Sequence, residues 1–204
     1  MRAGYALADD LAQRHDLVVL GEIGIANTTV AAALLASLSG LSPAAVCGRG
    51  TGLDAQGMLR KQQTILAALQ ANQADGANPL TCLRALGGPE FAGLVGAILA
   101  AAKHRRPIVL DGFATGVAAL TACRVQPALR DYLIAGHRSA EPAHQHVLTE
   151  LGLEPLLDLR LRLGEASGAA LALPLISLAA RLHREMRRFD DAHVDRATSR
   201  RVCE

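Results

Sequence analysis

Residues 17–29, with the sequence LVVLGEIGIANTT, decide how the chain folds. A short apolar run ends at a glycine, and the apolar stretch after residue 29 is long enough for a helix. The pattern predicts a buried strand, a tight turn and a helix N-terminus. Asn27, Thr28 or Thr29 can cap this helix, whose free N–H groups suit an anion. The turn is therefore either purely structural or a phosphate or sugar-phosphate site.

Two residues of this turn are candidates for a ligand site. Gly24 lets the backbone approach a ligand closely because it has no Cβ. Glu22 follows the strand, at the edge where open α/β sheets bind their ligands. A carboxylate beside an anion is unfavourable unless it takes part in the chemistry or binds a sugar hydroxyl. The glycine spacing matches neither a dinucleotide-binding fingerprint nor a P-loop, so it does not identify the ligand by itself.

Length and composition narrow the class of protein. A chain of 204 residues suits one domain, and with 2% aromatic residues and no Trp its core must be Leu, Ala and Val. A formal net charge of +2 and the scarcity of aromatic residues do not favour nucleic-acid binding. The apolar run at 166–180 is too short to span a membrane, so we expect a core helix there. Early charged residues argue against a signal peptide, so we expect a cytoplasmic protein with no membrane partner.

The cysteines give no indication of a metal site. Cys47, Cys82, Cys123 and Cys203 lie far apart, without the paired spacing of metal ligands. We therefore expect buried, reduced thiols, no bound metal and no cofactor.

A second glycine-rich segment, residues 46–52, predicts another anion site. Its alternating glycines, including Gly50 and Gly52, expose N–H groups along one face of the chain, and such concavities hold anions. Lys61 falls within the first two turns of the helix predicted to follow. It either adds a positive charge at the loop or is a solvated surface lysine.

Two further apolar runs predict parallel strands that end in polar residues. Residues 107–110 lead into Asp111, and residues 132–135 lead into a loop that contains His137 and Ser139. Because the carboxyl ends of parallel strands meet at one edge, we expect these side chains to share a ligand-binding edge. His137 is either a base or a loop histidine bonded to backbone.

The remaining pattern predicts helices and a tail. Helices are expected over 1–14, from the cap candidates Asp54 or Thr51 to 69, and over 90–103, 114–123 and 141–151, with turns over 72–88. Residues 156–163 begin a last unit whose apolar helix runs to about residue 189. Glu165 lies at the start of that helix, where it is either a helix-dipole partner or a catalytic base. Residues 1–189 are thus predicted to form one α/β domain, followed by a charged tail at 190–204.

Four motifs together resemble one family. They are GEIGIANTT at 21–29, DGF at 111–113, GHRSAE at 136–141 and RLGEASGAA at 162–170. In this order they are similar to the nicotinate-nucleotide–dimethylbenzimidazole phosphoribosyltransferases of cobalamin biosynthesis, with Ala26 in place of a glycine usual in the family. The resemblance implies a Rossmann-like parallel sheet with covering helices and a homodimer. It also implies that the family's N-terminal elements, with much of the benzimidazole pocket, are absent from this sequence.

The resemblance also implies roles for individual residues. Glu165 corresponds to the general base, and Glu22 to a second carboxylate of the site. The residues implied to bind substrate or its phosphate are Gly24, Asn27, Gly50, Gly52, Lys61, Asp111, Ser139 and Gly168. The implied reaction transfers the ribose 5-phosphate of nicotinate mononucleotide to 5,6-dimethylbenzimidazole, giving α-ribazole 5′-phosphate and nicotinate. The alternative is a non-catalytic module of this fold that binds a nucleotide or sugar phosphate.

Overall fold

The structure is a computed structural model, and it describes residues 1–50, 52–74, 76–187 and 191. The chain divides into two units, residues 1–172 and residues 173–204. The predicted boundary at residue 189, and all of the predicted tail except residue 191, lie outside the described residues. The sheet belongs to the first unit.

Three short parallel strands form the sheet, as the sequence predicts. They are β1 (Val18–Leu20), β2 (Ile108–Leu110) and β3 (Leu133–Ala135), in the order β1-β2-β3. Val19 pairs with Val109, which pairs in turn with Ile134, so the three strands end level with one another. The polar residues that follow the strands therefore meet at one edge.

Helices make up most of the described chain. They are α1 (Arg2–Arg14), α2 (Asn27–Ser39), α3 (Pro43–Val46), α4 (Ala55–Asn72), α5 (Pro79–Leu86), α6 (Gly88–Lys103), α7 (Phe113–Val125), α8 (His144–Leu151) and α9 (Ser167–Glu185). A 3-10 helix, Pro127–Tyr132, precedes β3. A parallel sheet with covering helices is the predicted fold class, and it is confirmed.

The core is aliphatic, as the composition predicts. Leu34, Leu35 and Ile98 are completely buried, and Phe91 is the largest fully buried side chain among the described residues. The buried free thiols predicted from the spacing are confirmed for Cys47, Cys82 and Cys123, whereas Cys203 lies outside the described residues. No helix in the described part of the chain is long and apolar enough to cross a membrane.

One helix cap and one predicted turn region differ from the predictions. Asp54 caps α4 by accepting the N–H of Gly57 at 2.7 Å, as expected. At α2 the cap position is instead Ala26, in the left-handed conformation with φ 66°, and no side chain caps the helix. Residues 72–88 are not all turn, because Asn78 caps α5 and Pro79 occupies its first position. Asn-Pro is a turn signal, but it is equally a cap followed by the proline that starts a helix.

The segment after α8 contains one short bridge and a helix that is less buried than predicted. Residues 156–163 run beside β3 but form only one bridge, between His137 and Leu157, because Arg160 has φ 54° and interrupts the extended backbone. The prediction that α9 is a core helix is wrong. Its buried residues are small ones near its start, whereas Leu171, Leu175, Leu178 and Leu182 are each about half exposed. Apolar composition alone does not determine burial.

Candidate active site

A cavity of about 540 Å³ opens at the carboxyl ends of the three strands. Its volume lies in the range of small-molecule sites. The predicted site residues that line it are Glu22, Gly24, Asn27, Gly50, Lys61, Asp111, Ser139 and Glu165. Gly52 and Gly168 do not line it. The structure thus brings together eight of the ten residues predicted from the sequence.

Glu22 is held inside its own turn. Its Oε1 accepts the N–H of Gly24 at 2.6 Å, and its Oε2 accepts the side-chain amide of Asn27. A Cβ on Gly24 would lie 2.5 Å from Oε1, so a larger residue here would displace the Glu22 carboxylate. Asn27 is therefore engaged with the carboxylate rather than capping α2. These two bonds fix the Glu22 carboxylate at the cavity wall.

Glu165 lies in a strained turn directly before α9. Gly164, Glu165 and Ala166 have φ of 81°, 59° and 61°, three successive residues in the left-handed region. Only glycine adopts this conformation without cost, and such strain persists where surrounding contacts hold it. The N–H of Glu165 donates to the carbonyl oxygen of Glu22 at 3.1 Å, and the Glu165 side chain is exposed. This bond ties the two carboxylate residues to the same edge of the cavity.

Lys61 is buried, so the solvated-lysine interpretation is wrong. Its side chain is 6% exposed, and its Nζ donates to the carbonyl oxygen of Gly48 at 2.9 Å and to Oγ1 of Thr28 at 3.0 Å. An ammonium has three donors, so these two bonds leave one. Burial lowers the pKa of Lys61, and the charge of Glu141 partly opposes that effect.

The N–H groups of the glycine-rich loop already donate to acceptors of the protein itself. Gly50 has φ 55°, and its N–H donates to Oε1 of Glu141 at 2.8 Å. The N–H of Gly52 donates to the carbonyl oxygen of Arg49 at 2.9 Å. The expectation that both N–H groups await an anion is therefore wrong for this conformation. The loop presents a shaped wall, and Lys61 supplies the positive charge there.

The Asp111 carboxylate accepts hydrogen bonds from the backbone of α9. It is 3% exposed, and its Oδ1 accepts the N–H of Gly168 at 2.8 Å and that of Ala169 at 3.2 Å. Nε2 of His137 lies 3.5 Å from the same oxygen. Burial opposes ionisation of Asp111, but the hydrogen bonds from His137 and from the two N–H groups outweigh it and lower its pKa. Asp111 thus fixes the start of α9, two residues beyond Glu165.

Gly168 has a packing role outside the cavity. A Cβ at this position would lie 1.9 Å from Cδ2 of His137, which is closer than any contact can be. His137 is 3% exposed, and its Nδ1 is buried without a hydrogen-bond partner among the described residues. The sequence left His137 as either a base or a loop histidine bonded to backbone. The His137 side chain packs between Asp111 and Gly168, so the backbone-bonded alternative is wrong.

Ser139 is supported by a neutral histidine. The N–H of Ser139 donates to Nδ1 of His144 at 2.9 Å, and its Oγ accepts the N–H of Glu141 at 3.3 Å. Burial, together with the nearby His137, lowers the pKa of His144 to about 4. A neutral ring with its proton on Nε2 is the form that can accept the Ser139 N–H.

Glu141 is the residue that sequence reasoning missed. It is 7% exposed, it lines the cavity, and it reaches the Gly50 loop across 91 positions of sequence. The rule that selected Asp111, a carboxylate shortly after a strand, applies equally to Glu141. Among the described residues, no cluster of His, Cys, Asp and Glu is suited to hold a metal ion.

Comparison with known proteins shows the family of this chain. A phosphoribosyltransferase family model matches residues 1–194. The nicotinate-nucleotide–dimethylbenzimidazole phosphoribosyltransferase of Desulforudis audaxviator is 48% identical over 191 residues, which are 94% of this chain and 54% of that protein. The corresponding protein of Azotobacter vinelandii is 53% identical over 87% of this chain and 51% of its own length. The chain thus spans about half the length of the curated relatives it matches.

A solved structure of a protein of this kind has the same fold as this chain. The crystal structure of CobT from Thermus thermophilus superposes with a TM-score of 0.86 and 45% identity, covering 95% of this chain and 59% of that one. The sequence relatives and the fold therefore point to the same family. The chain belongs to the phosphoribosyltransferase family that includes these nicotinate-nucleotide–dimethylbenzimidazole phosphoribosyltransferases.

Proposed function

We propose that this site transfers the ribose 5-phosphate of nicotinate mononucleotide to 5,6-dimethylbenzimidazole, giving α-ribazole 5′-phosphate and nicotinate. The observation that carries the proposal is the bond from the Glu165 N–H to the Glu22 carbonyl oxygen, which holds two carboxylates at the mouth of a cavity that contains a buried lysine. The names of the relatives, which describe this reaction, support the choice of substrates.

The phosphate end of the nucleotide is assigned to Lys61 and its neighbours. The third N–H of Lys61 is available to an oxygen anion, and the start of α2, which has no side-chain cap, adds free N–H groups at the positive end of a helix dipole. Ser139, which also lines the cavity, adds a hydroxyl. These groups come from three elements, so they fix both the position and the direction of the sugar phosphate.

The two carboxylates are assigned different roles. A benzimidazole nitrogen attacks the ribose anomeric carbon as the bond to the pyridinium nitrogen breaks, so nicotinate departs without a general acid. The other ring nitrogen loses its proton, and the exposed Glu165 is placed to accept it. Glu22, whose carboxylate is fixed by its bonds to Gly24 and Asn27, stabilises positive charge on the ribose in the transition state. Asp111 positions Glu165 by fixing the start of α9.

We also propose that the protein acts as a cytoplasmic homodimer, on the basis of the family resemblance alone. Sedimentation equilibrium is the direct test of the dimer. A single species at the 21.3 kDa of one chain would contradict it.

The reaction is tested by incubating the protein with both substrates and separating the products by chromatography. Nicotinate and α-ribazole 5′-phosphate should form in equal amounts. Glu165→Gln should lower turnover by about two to four orders of magnitude, the usual contribution of a positioned base. The control is Glu154→Gln, an exposed glutamate outside the cavity, which should keep the wild-type rate. Saturable nucleotide binding without product would support the non-catalytic alternative.

A further inference from the structure

Two buried side chains of opposite charge hold the loop between Gly48 and Gly50. On one side, the Nζ of Lys61 donates to the carbonyl oxygen of Gly48 at 2.9 Å. On the other, Oε1 of Glu141 accepts the N–H of Gly50 at 2.8 Å. Their side chains are 6% and 7% exposed. The loop that forms the anion wall of the cavity is therefore clamped by one cation and one anion.

The clamp is not an ion pair. None of the ion pairs that the described residues form joins Lys61 to Glu141. The second oxygen of Glu141, Oε2, is buried without a hydrogen-bond partner among the described residues, and a Cβ on Gly48 would lie 2.0 Å from it. The backbone of Gly48 thus lies between the two charged groups. Lys61 keeps a donor that a direct pair with Glu141 would consume.

A buried carboxylate with an unpaired oxygen is costly unless it balances another charge. Glu141 balances the charge of Lys61, because burial lowers the pKa of Lys61 and the charge of Glu141 partly opposes that effect. The other ionisable neighbour, Cys47, stays a neutral thiol because burial raises its pKa. The remaining ionisable groups that line the cavity are Glu22, Arg49, Asp111, His137, Arg162 and Glu165.

We infer that Glu141 is a positioning residue of the anion site, which holds the Gly50 N–H and places a buried negative charge across Gly48 from Lys61 without occupying the donor that Lys61 offers to a ligand. The inference rests on the proposed function only in taking the ligand to be the phosphate of nicotinate mononucleotide. Glu141 itself does not touch the ligand, because its Oε2 is closed off by Gly48 and its Oε1 by Gly50.

The sequence allows a direct test without any ligand, because Lys61 and Lys103 are its only lysines. Protein labelled with ¹³C and ¹⁵N in the lysine side chains gives two ammonium signals, and Lys103, an exposed partner of Asp9, is the internal reference. In Glu141→Gln the pKa of Lys61 should fall while that of Lys103 stays constant. Glutamine keeps an oxygen for the Gly50 N–H, so the change isolates the charge. An unchanged or higher Lys61 pKa overturns the inference.

The second measurement follows nucleotide affinity as a function of pH by calorimetry. In Glu141→Gln the alkaline loss of nicotinate mononucleotide binding should begin at lower pH, and above that point affinity should be roughly ten- to a hundred-fold below wild type. Glu141→Asp keeps the charge but holds it one methylene farther back, so its profile should lie between those of wild type and Glu141→Gln. Glu154→Gln is the surface control. An equal loss of nucleotide affinity at every pH, with the alkaline loss of binding beginning at the same pH as in wild type, would mean a purely structural role and would overturn the inference.

The two measurements separate this inference from the proposed function. If the Lys61 signal shifts but the nucleotide does not bind to wild type, the inference stands and the proposed substrate is wrong. If the nucleotide binds and turns over but Lys61 titrates identically in both proteins, the proposed function stands and the role of Glu141 is wrong. Should Glu141→Gln fail to fold, the Lys61 titration in Glu141→Asp, with the carboxylate one methylene farther back, must still differ from wild type.

Discussion

Replacing Gly168 with alanine tests whether the start of α9 is fixed by close packing. Gly168 lies in the first turn of α9, and its N–H donates to Asp111 at 2.8 Å. The added Cβ would lie 1.9 Å from Cδ2 and 2.5 Å from Nε2 of His137, a ring that is almost completely buried. Either the ring or the helix must move, and each movement disturbs the contact with Asp111.

The size of the effect follows from two contributions of opposite sign. Alanine is favoured over glycine inside a helix by roughly 0.5–1 kcal/mol. Overpacking of a buried site costs about 1–3 kcal/mol, and a weakened hydrogen bond to a charged acceptor costs about 1.5–3 kcal/mol. The net expectation is a loss of about 2–4 kcal/mol in the free energy of unfolding. For a chain of this length that corresponds to a melting temperature lower by roughly 5–15 °C.

The assay is thermal unfolding monitored by circular dichroism, with Gly93→Ala as the matched control. Gly93 also lies in a helix, α6, but a Cβ there would meet no atom within 4 Å, so this variant should be as stable as wild type or slightly more stable. Turnover of Gly168→Ala should fall at temperatures where it is folded, because the turn that carries Glu165 precedes α9 directly. A melting temperature equal to that of Gly93→Ala would refute the packing argument.

Two further changes test other parts of the site. Burial lowers the pKa of His144 from 6.5 to about 4, so the unfolded chain binds more protons than the folded chain between these values. Urea titrations should show about 3 kcal/mol of stability that is present above pH 6.5 and is lost as the pH falls to 4. The variant His144→Gln should not show this pH dependence. Gly24→Ala places a Cβ 2.5 Å from Oε1 of Glu22 and should lower turnover at least tenfold with little effect on nucleotide affinity, whereas an equal loss of both would indicate misfolding.

Features that depend on nearby residues could be predicted from the sequence. The three strands, the turns that follow them and the Asp54 cap are each encoded within a few positions, so composition and spacing are enough. Gly24 and Glu22 were identified for the same reason, since the bond between them spans two residues.

Features that depend on distant residues could not be predicted. Lys61 alone gives no indication of burial, because its acceptors Thr28 and Gly48 come from other elements. The bond between Gly50 and Glu141 depends on how the loop before α4 and the loop after β3 meet in space. The position of Asp111 after β2 predicts that it lies at the cavity, but nothing near it in sequence indicates that its Oδ1 accepts an N–H from the first turn of α9, 57 positions later. Local pattern identifies a polar side chain at the sheet edge but not the atom that it bonds.

The most direct test of the account is whether the buried lysine binds the nucleotide's phosphate. Calorimetric titration of the chain with nicotinate mononucleotide should show saturable binding with one site per chain. Lys61→Met, which keeps the aliphatic stem, should weaken it roughly ten- to a hundred-fold, the contribution of a charged hydrogen bond. Lys103→Met removes the other lysine, which is exposed and outside the cavity, and should bind like wild type. Equal affinity of wild type and Lys61→Met, or no binding by wild type, would contradict the account.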